Sequence, residues 1–245
     1  MKNIKFQLQE LYLSKWDQFS AVMKNDPEFA NRSHPHLISL TDSFEKDWNE
    51  AELRIMLTGI STNGWGQKNY AIYTGPSELA VASLMDQYEE FYFKGGNWHY
   101  AQVFWNYVYA LQELLGYRLN KKVRLIWNNV HKTDPRKQNV EQELFSVLHG
   151  EVSILQPDVI LLFGLDTRNV LHTRLSEKQI DWSEYESWSD HYTDKPFLFY
   201  NVPGQLYSSA SNRLKNVIVT YHPNARGDAG IKMKLLLDEL TSLLS

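Results

Sequence analysis

Three stretches of this sequence join reactive residue types to a spacing that would present them to a ligand. The first is Gly59-Ile60-Ser61-Thr62-Asn63-Gly64-Trp65-Gly66. Three glycines in eight residues let a backbone turn sharply and approach a ligand closely, and Ser61, Thr62 and Asn63 set short hydrogen-bonding side chains beside it. It is neither a dinucleotide fingerprint nor a P-loop, because GxGxxG and Gly-Lys-Ser/Thr are absent. The second is Asn128-Asn129-Val130-His131-Lys132, followed by Thr133-Asp134-Pro135-Arg136-Lys137. Asparagine carries one donor and one acceptor and so can read the edge of a planar base, while His131, Lys132, Arg136 and Lys137 form the densest basic patch of the chain. The third is Tyr221-His222-Pro223-Asn224-Ala225-Arg226-Gly227. A histidine fixed by a following proline is well placed to hydrogen-bond a developing anion, and Arg226 could hold a phosphate. His34, His36, His99, His149, His172 and His191 lack such company and read as surface or core histidines.

Each stretch follows a short apolar run, which explains how such residues would be positioned. Residues 53–60, 123–130, 158–164 and 216–222 are rich in Ile, Val and Leu and read as strands buried on both faces. The run at 158–164 brings no chemistry and ends on Gly164. Between the runs, residues 77–94, 100–115, 140–155 and 231–244 carry apolar residues at helical intervals, and Ser77 and Gly95-Gly96 supply a start and a stop. Strand alternating with helix predicts an α/β fold, three-layer α/β/α, around a central, mainly parallel four-stranded sheet. Residues 1–50 read as an N-terminal helical extension packed on a single α/β domain spanning 1–245. FLFYNVPGQLY after residue 196 reads as an added strand or hairpin. Ligands of open parallel sheets bind beyond the carboxyl ends of the strands, where the three stretches would lie.

Composition narrows the chemistry. The chain has 245 residues, 43% hydrophobic and 22% charged, as expected of a globular protein. With 25 Lys and Arg against 29 Asp and Glu, the net charge is -4, so any nucleic-acid partner must be met by a local patch. The absence of cysteine rules out disulfides, thiol nucleophiles, thiolate zinc sites and cysteine-ligated iron–sulfur clusters. No His-rich metal motif is present, so no metal or cofactor is expected. The opening MKNIKFQLQELYLSKWDQF offers no signal-peptide core and no membrane span, so a soluble, cytoplasmic protein is expected, and a monomer. Aromatics reach 13%, with 14 Tyr, 11 Phe and 8 Trp, a supply that serves both cores and base stacking.

In this order, the motifs resemble the uracil-DNA glycosylase superfamily over residues 53–230. GISTNGWG is similar to that family's glycine loop, most closely to the Gly-Met-Asn-Pro-Gly-Pro-Phe-Gly of its single-strand-selective branch. Asn129 resembles its base-reading asparagine, QPDVILLFG its third strand, and His222-Pro223-Asn224 its His-Pro-Ser loop. The resemblance implies a DNA partner, single- or double-stranded, with a flipped base, and base excision repair by hydrolysis of the N-glycosidic bond of a deaminated or damaged base. It implies that Asn129 reads the base, His222 stabilises the leaving group and Ser61 stands at the water-handling position, with Asn63 beside them among the catalytic candidates. Trp65, Tyr70 or Tyr73 would stack on the base. Lys132, Arg136, Lys137, Asn224 and Arg226 would contact nucleic acid. The chain departs from the pattern at Ser61, which replaces an acid or amide, at Thr62 for proline and at Asn224 for serine. A serine hydroxyl is no general base near neutral pH without an activating partner, and Asp134 or Asp228 are the possible substitutes. A non-catalytic nucleic-acid or nucleotide-binding member of the same fold is the alternative. The missing cysteines restrict either reading to the cluster-free branches.

Overall fold

A computed structural model describes residues 3–25, 34–60, 65, 70–94, 103–133, 138–176, 178–189, 197–223 and 228–245. The chain divides into two compact units, one formed by Met1–Glu45, Gly59–Lys94 and Trp127–Leu155, the other by Lys46–Thr58, Gly95–Ile126 and Gln156–Ser245. The fold is α/β.

The first unit is built on α1 (Ile4–Lys24). Ile4, Leu8, Tyr12, Trp16, Phe19 and Met23 fall at intervals of three and four and are all buried, giving one apolar stripe. The Asn3 side chain accepts from the Phe6 amide at 2.8 Å and so caps the helix start. That stripe packs against α3 (Ser77–Lys94), α5 (Gln138–Leu144) and α6 (Leu148–Leu155). Leu11 presses so closely on Gly150 that a Cβ there would come within 2.7 Å of its Cδ1. The α1 stripe thus contributes to the core of this unit.

The helix expected over 140–155 is two helices, α5 and α6, broken at 145–147. The break turns Phe145 inward, where it stacks on Phe19 at 4.7 Å and meets Trp16 edge-on. Packing of one large ring outweighs the continuity of helical spacing here.

The second unit carries most of the sheet. All four apolar runs are strands: β1 (Leu53–Gly59), β2 (Val123–Asn129), β3 (Val159–Phe163) and β6 (Asn216–Thr220). Two more, β4 (Glu186–Ser189) and β5 (Phe197–Pro203), bring the sheet to six strands in the order β2-β1-β3-β6-β5-β4, so the expected four-stranded sheet is corrected to a mixed six-stranded one. β1, β3 and β6 are parallel, whereas β5 runs antiparallel to β6, and β4 to β5. β4 escapes pattern recognition because it is four residues long, ESWS, and among the described residues pairs with β5 alone.

Helices α4 (Val103–Leu119) and α8 (Ala229–Leu244) pack together, with Arg118 paired to Asp238 at 2.6 Å and Lys121 Nζ donating to the Leu244 carbonyl at 2.8 Å. Among the described residues, the remaining α-helices are α2 (Asp42–Asn49) and α7 (Arg168–Leu175). Among the described residues, no helix is long and apolar enough to cross a membrane.

Candidate functional site

The backbone first brings two of the three chemical stretches together. The amides of Val130 and His131 donate to the carbonyls of Gly59 and Ile60 at 2.9 and 3.0 Å, so the segments leaving β1 and β2 run alongside one another in the same direction. The Asn129 carboxamide lies directly over Gly59: a Cβ on that glycine would stand 2.6 Å from Asn129 Oδ1. Only a residue with no side chain leaves room for the asparagine here, which gives Gly59 a steric role in addition to its turn.

Strand alternation then separates two environments. Asn128 points to one side and enters a closed polar network. Its Oδ1 accepts from the Asn129 amide at 2.7 Å and from Lys132 Nζ, while its Nδ2 donates to Glu151 Oε2 at 3.0 Å. Lys132 also pairs with Glu151 at 2.6 Å, and Tyr12 donates its hydroxyl to the other Glu151 oxygen at 2.8 Å. Lys132 and Glu151 are both wholly buried.

Burial corrects the expectation that Lys132 offers its charge to nucleic acid, since the ammonium is spent on a buried carboxylate. His131 is buried as well, 3.8 Å from Glu141, which also accepts from the Thr133 amide and hydroxyl. The start of the basic patch is thus an internal scaffold that fixes the chain after β2.

On the opposite side of β2 from Asn128 lie Trp127 and Asn129. Trp127 belongs to an aromatic cluster with Trp65, Tyr88 and Phe91 in which the His36 ring is embedded, 4.2 Å from Trp127, 5.2 Å from Trp65 and 5.2 Å from Tyr88 between ring centroids. Two backbone bonds hold the segment, His36 N to the Lys132 carbonyl at 2.7 Å and His34 N to the Trp65 carbonyl at 3.0 Å. Asn129 Nδ2, Trp65 Nε1 and both His36 ring nitrogens are buried with no hydrogen-bond partner among the described residues. Native chains leave few such groups, because each costs about 1–3 kcal/mol.

In the second unit, His222 follows β6 and stacks on Phe104, centroids 5.2 Å apart and planes 14° apart, with Phe163 edge-on at 6.3 Å. Burial, and after it the Lys232 ammonium, lowers the His222 pKa from 6.5, so its imidazole is neutral at neutral pH. Lys232 Nζ donates to the Pro223 carbonyl at 3.4 Å, and burial lowers its own pKa. Asp228 caps α8, accepting from the Gly230 and Ile231 amides at 2.7 and 3.1 Å. That capping role leaves it poorly suited to the base duty considered for it.

Of the stacking candidates, Tyr73 is overturned. It lies in the α1 core, stacked on Trp16 at 5.9 Å and 10°. Trp65 borders the His36 cluster, and Tyr70 begins a short 3-10 turn, with its side chain outside the described residues. Ser61, Thr62, Asn63, Asp134, Arg136, Lys137, Asn224 and Arg226 also lie outside the described residues. His36 was passed over in the sequence because nothing in its linear neighbourhood marks it, and Glu151 and Tyr12 because each reads as one more position on an amphipathic helix. Among the described residues, no group of three His, Asp or Glu side chains converges as a metal site. No family model matches the chain, and no curated protein sequence is significantly similar to it.

The neutral histidines make a prediction about acid. Burial, with Lys132 adding to it, holds His36 well below its ordinary 6.5. Below pH 6.5 the unfolded chain takes up a proton that folded His36 refuses, so stability must fall as pH drops from 6.5 toward the folded pKa. One such group steepens the dependence by up to about 1.4 kcal/mol per pH unit. Urea unfolding between pH 7.5 and 5 is expected to show this slope, and His36→Phe to flatten it; equal slopes for the two proteins would refute the assignment.

Proposed function

We propose that this chain is a uracil-DNA glycosylase-like hydrolase of three-layer α/β/α architecture, which removes a deaminated or damaged base flipped out of DNA. The observation that carries this reading is the Asn129 carboxamide, seated on Gly59 with its Nδ2 buried and without a partner among the described residues. A donor held in that way is complementary to a carbonyl from outside the chain.

Asn129 reads the base edge, and Trp65 supplies aromatic wall. His222, neutral and stacked on Phe104, donates to the base as negative charge develops on it. Water adds to C1′ of the sugar, the C1′–N bond breaks, its electron pair leaves with the base, and the proton of the water is released. Ser61 and Asn63 stand in the loop assigned to that water, while Arg136, Lys137, Asn224 and Arg226 are the phosphate contacts. The protein acts as a cytoplasmic monomer without a metal or cofactor.

Single-turnover assays on single- and double-stranded oligonucleotides containing uracil, hypoxanthine or xanthine test the reading. Release of at least one base, faster than by a His222→Ala control, is expected, and its absence for all three sinks it. Retained, salt-dependent binding without release would instead identify the non-catalytic nucleic-acid-binding form of the same fold.

Gly59→Ala provides an internal check. The new methyl must displace the Asn129 carboxamide, so turnover should fall about 10²-fold, as for a reacting group misplaced by about 1 Å. The fold should lose only about 1–3 kcal/mol, as in ordinary overpacking. An unchanged rate would separate Asn129 from base recognition.

A further inference from the structure

We propose that a second binding site lies at the amino ends of the parallel strands, a polar cavity that takes a small sugar phosphate with its phosphate on Arg213 and Lys215. The cavity has a volume of about 590 Å³ and lies between Asp158 at the entry to β3, the turn after β5 at Gly204 and Ser208, and the segment 211–215 that leads into β6. His222 follows the opposite end of β6, so the five residues of that strand set the two places roughly 16 Å apart at about 3.3 Å per residue. The cavity is therefore separate from the histidine assigned to the leaving group, and it does not rest on the glycosylase reading.

Its walls are held by main-chain bonds. Lys215 N donates to the Asp158 carbonyl at 2.8 Å, Gly204 N to the Lys215 carbonyl at 2.6 Å, and Asp158 N to the Arg54 carbonyl at 2.8 Å. A Cβ on Gly204 would fall 1.9 Å from the Leu214 carbonyl oxygen, so the turn after β5 lies flush against the entry to β6 and only glycine permits it. Ser211 Oγ accepts from the Arg213 amide at 3.2 Å and donates to Gln156 Oε1 at 3.0 Å, which fixes the segment before β6. A cavity built in this way loses little freedom when a ligand enters.

Charge selects an anion. Asp158, 2% exposed, has Arg213 Nε 3.0 Å from its Oδ1, while its Oδ2 accepts from Arg213 Nη2 at 3.2 Å and from the Arg54 amide at 2.9 Å. Burial, and after it the Arg213 guanidinium, lowers the Arg54 pKa, as expected where two cations share one carboxylate. With Lys215 exposed at the rim, three cations stand against Asp158, a local excess of two positive charges in a chain of net charge -4. Asp158 occupies the Nε side of the Arg213 guanidinium and leaves the Nη1–Nη2 edge, the fork that grips two phosphate oxygens at once.

The rest of the lining describes what the phosphate is attached to. Gln205, Ser208 and Asn212 are exposed and uncharged, and each offers donors and acceptors suited to hydroxyl groups. Among the described residues, no aromatic ring lines the cavity, so a nucleobase would find nothing to stack on. A bare phosphate would leave most of the 590 Å³ unfilled, whereas that volume suits a small organic molecule.

Calorimetric titration of the full chain with glucose-6-phosphate, ribose-5-phosphate, inorganic phosphate, glucose and a single-stranded oligonucleotide tests the proposal. At least one sugar phosphate should bind about tenfold tighter than inorganic phosphate or glucose, because only it uses both the cations and the polar lining. Lys215→Ala, at an exposed position, should weaken it about three- to fivefold, the worth of an exposed charge pair. Arg213→Lys keeps the charge without the fork and should weaken it about tenfold or more. Ser208→Glu, also exposed, sets a carboxylate in the cavity and should abolish binding. Ser208→Glu should keep the melting temperature of the ligand-free parent, and added sugar phosphate should raise the parent's alone of these two. A parent that binds neither sugar phosphate overturns the proposal, as does a Ser208→Glu variant that binds like the parent. Inorganic phosphate binding as tightly as the sugar phosphates would overturn the sugar assignment. Displacement of the sugar phosphate by an oligonucleotide whose own binding Ser208→Glu abolishes would give the cavity to a nucleic-acid backbone instead.

Discussion

Lys132→Met is expected to destabilise the protein by about 3–5 kcal/mol, the cost typical of breaking a buried ion pair from one side. Methionine keeps most of the unbranched stem and its packing, so the change isolates the ammonium. Without it, the Glu151 carboxylate stays wholly buried with, among the described residues, only the Tyr12 hydroxyl at 2.8 Å and Asn128 Nδ2 at 3.0 Å to solvate it. Two neutral donors stabilise a carboxylate but do not balance its charge. The carboxamide of Glu151→Gln can still accept from Tyr12 and Asn128, so the double variant Lys132→Met with Glu151→Gln should lose less than the sum of the two singles, with a coupling of about 0.5–3 kcal/mol. Urea unfolding followed by circular dichroism at pH 7.5 measures all four proteins. A single Lys132→Met variant within about 1 kcal/mol of the parent would show that the pair is not buried in solution as it is here.

The same pair shows how far linear reading reached. The four apolar runs became strands with nearly the expected bounds, because runs of Ile, Val and Leu have few other ways to bury both faces. The helix at Ser77–Lys94 was equally legible, since its starting serine, its spacing and the following glycines all agree. What the sequence hid were decisions made by tertiary contacts. Lys132 sits in the most basic stretch of the chain, where charge density argues for a solvated patch. Its partner Glu151 is 19 positions away, on a different element, and no local signal links the two.

His36 was hidden for a related reason. It stands in an irregular stretch beside Pro35, HPHL, and its surroundings form only when Trp65, Tyr88 and Trp127 close around it. Tyr73 erred in the other direction. Its position eight residues after Trp65 suggested a stacking role, but the apolar stripe of α1 captures it first, through Trp16 and Phe19. Asn129 was legible because a polar residue ending a buried strand is conspicuous. Its seat on Gly59 was not, since the two are 70 positions apart.

His222→Ala should lower the single-turnover rate of base release about 10²- to 10³-fold, the range seen when one donor to a developing anion is removed. The argument starts from β6, which carries the chain to Thr220 inside the sheet and delivers His222 two residues later, before Pro223 limits the backbone. Stacking on Phe104 at 14° fixes the plane of the ring, and Phe163 closes its edge at 6.3 Å, so few orientations remain to be lost when charge develops. The lowered pKa leaves the imidazole neutral above pH 6.5. It therefore donates one hydrogen bond without having to lose or gain a proton, and titration of His222 should put no inflection in the rate above that pH. The parent and His222→Ala profiles should then run parallel from pH 6.5 to 8.5, differing in height alone. Phe104→Leu, which keeps apolar volume but loses the stacking plane, should reduce the rate less than His222→Ala and leave circular dichroism unchanged. Matching rates for His222→Ala and the parent would remove leaving-group stabilisation from this residue, and a parent inflection near neutral pH missing from His222→Ala would show that the ring works as a titrating acid instead.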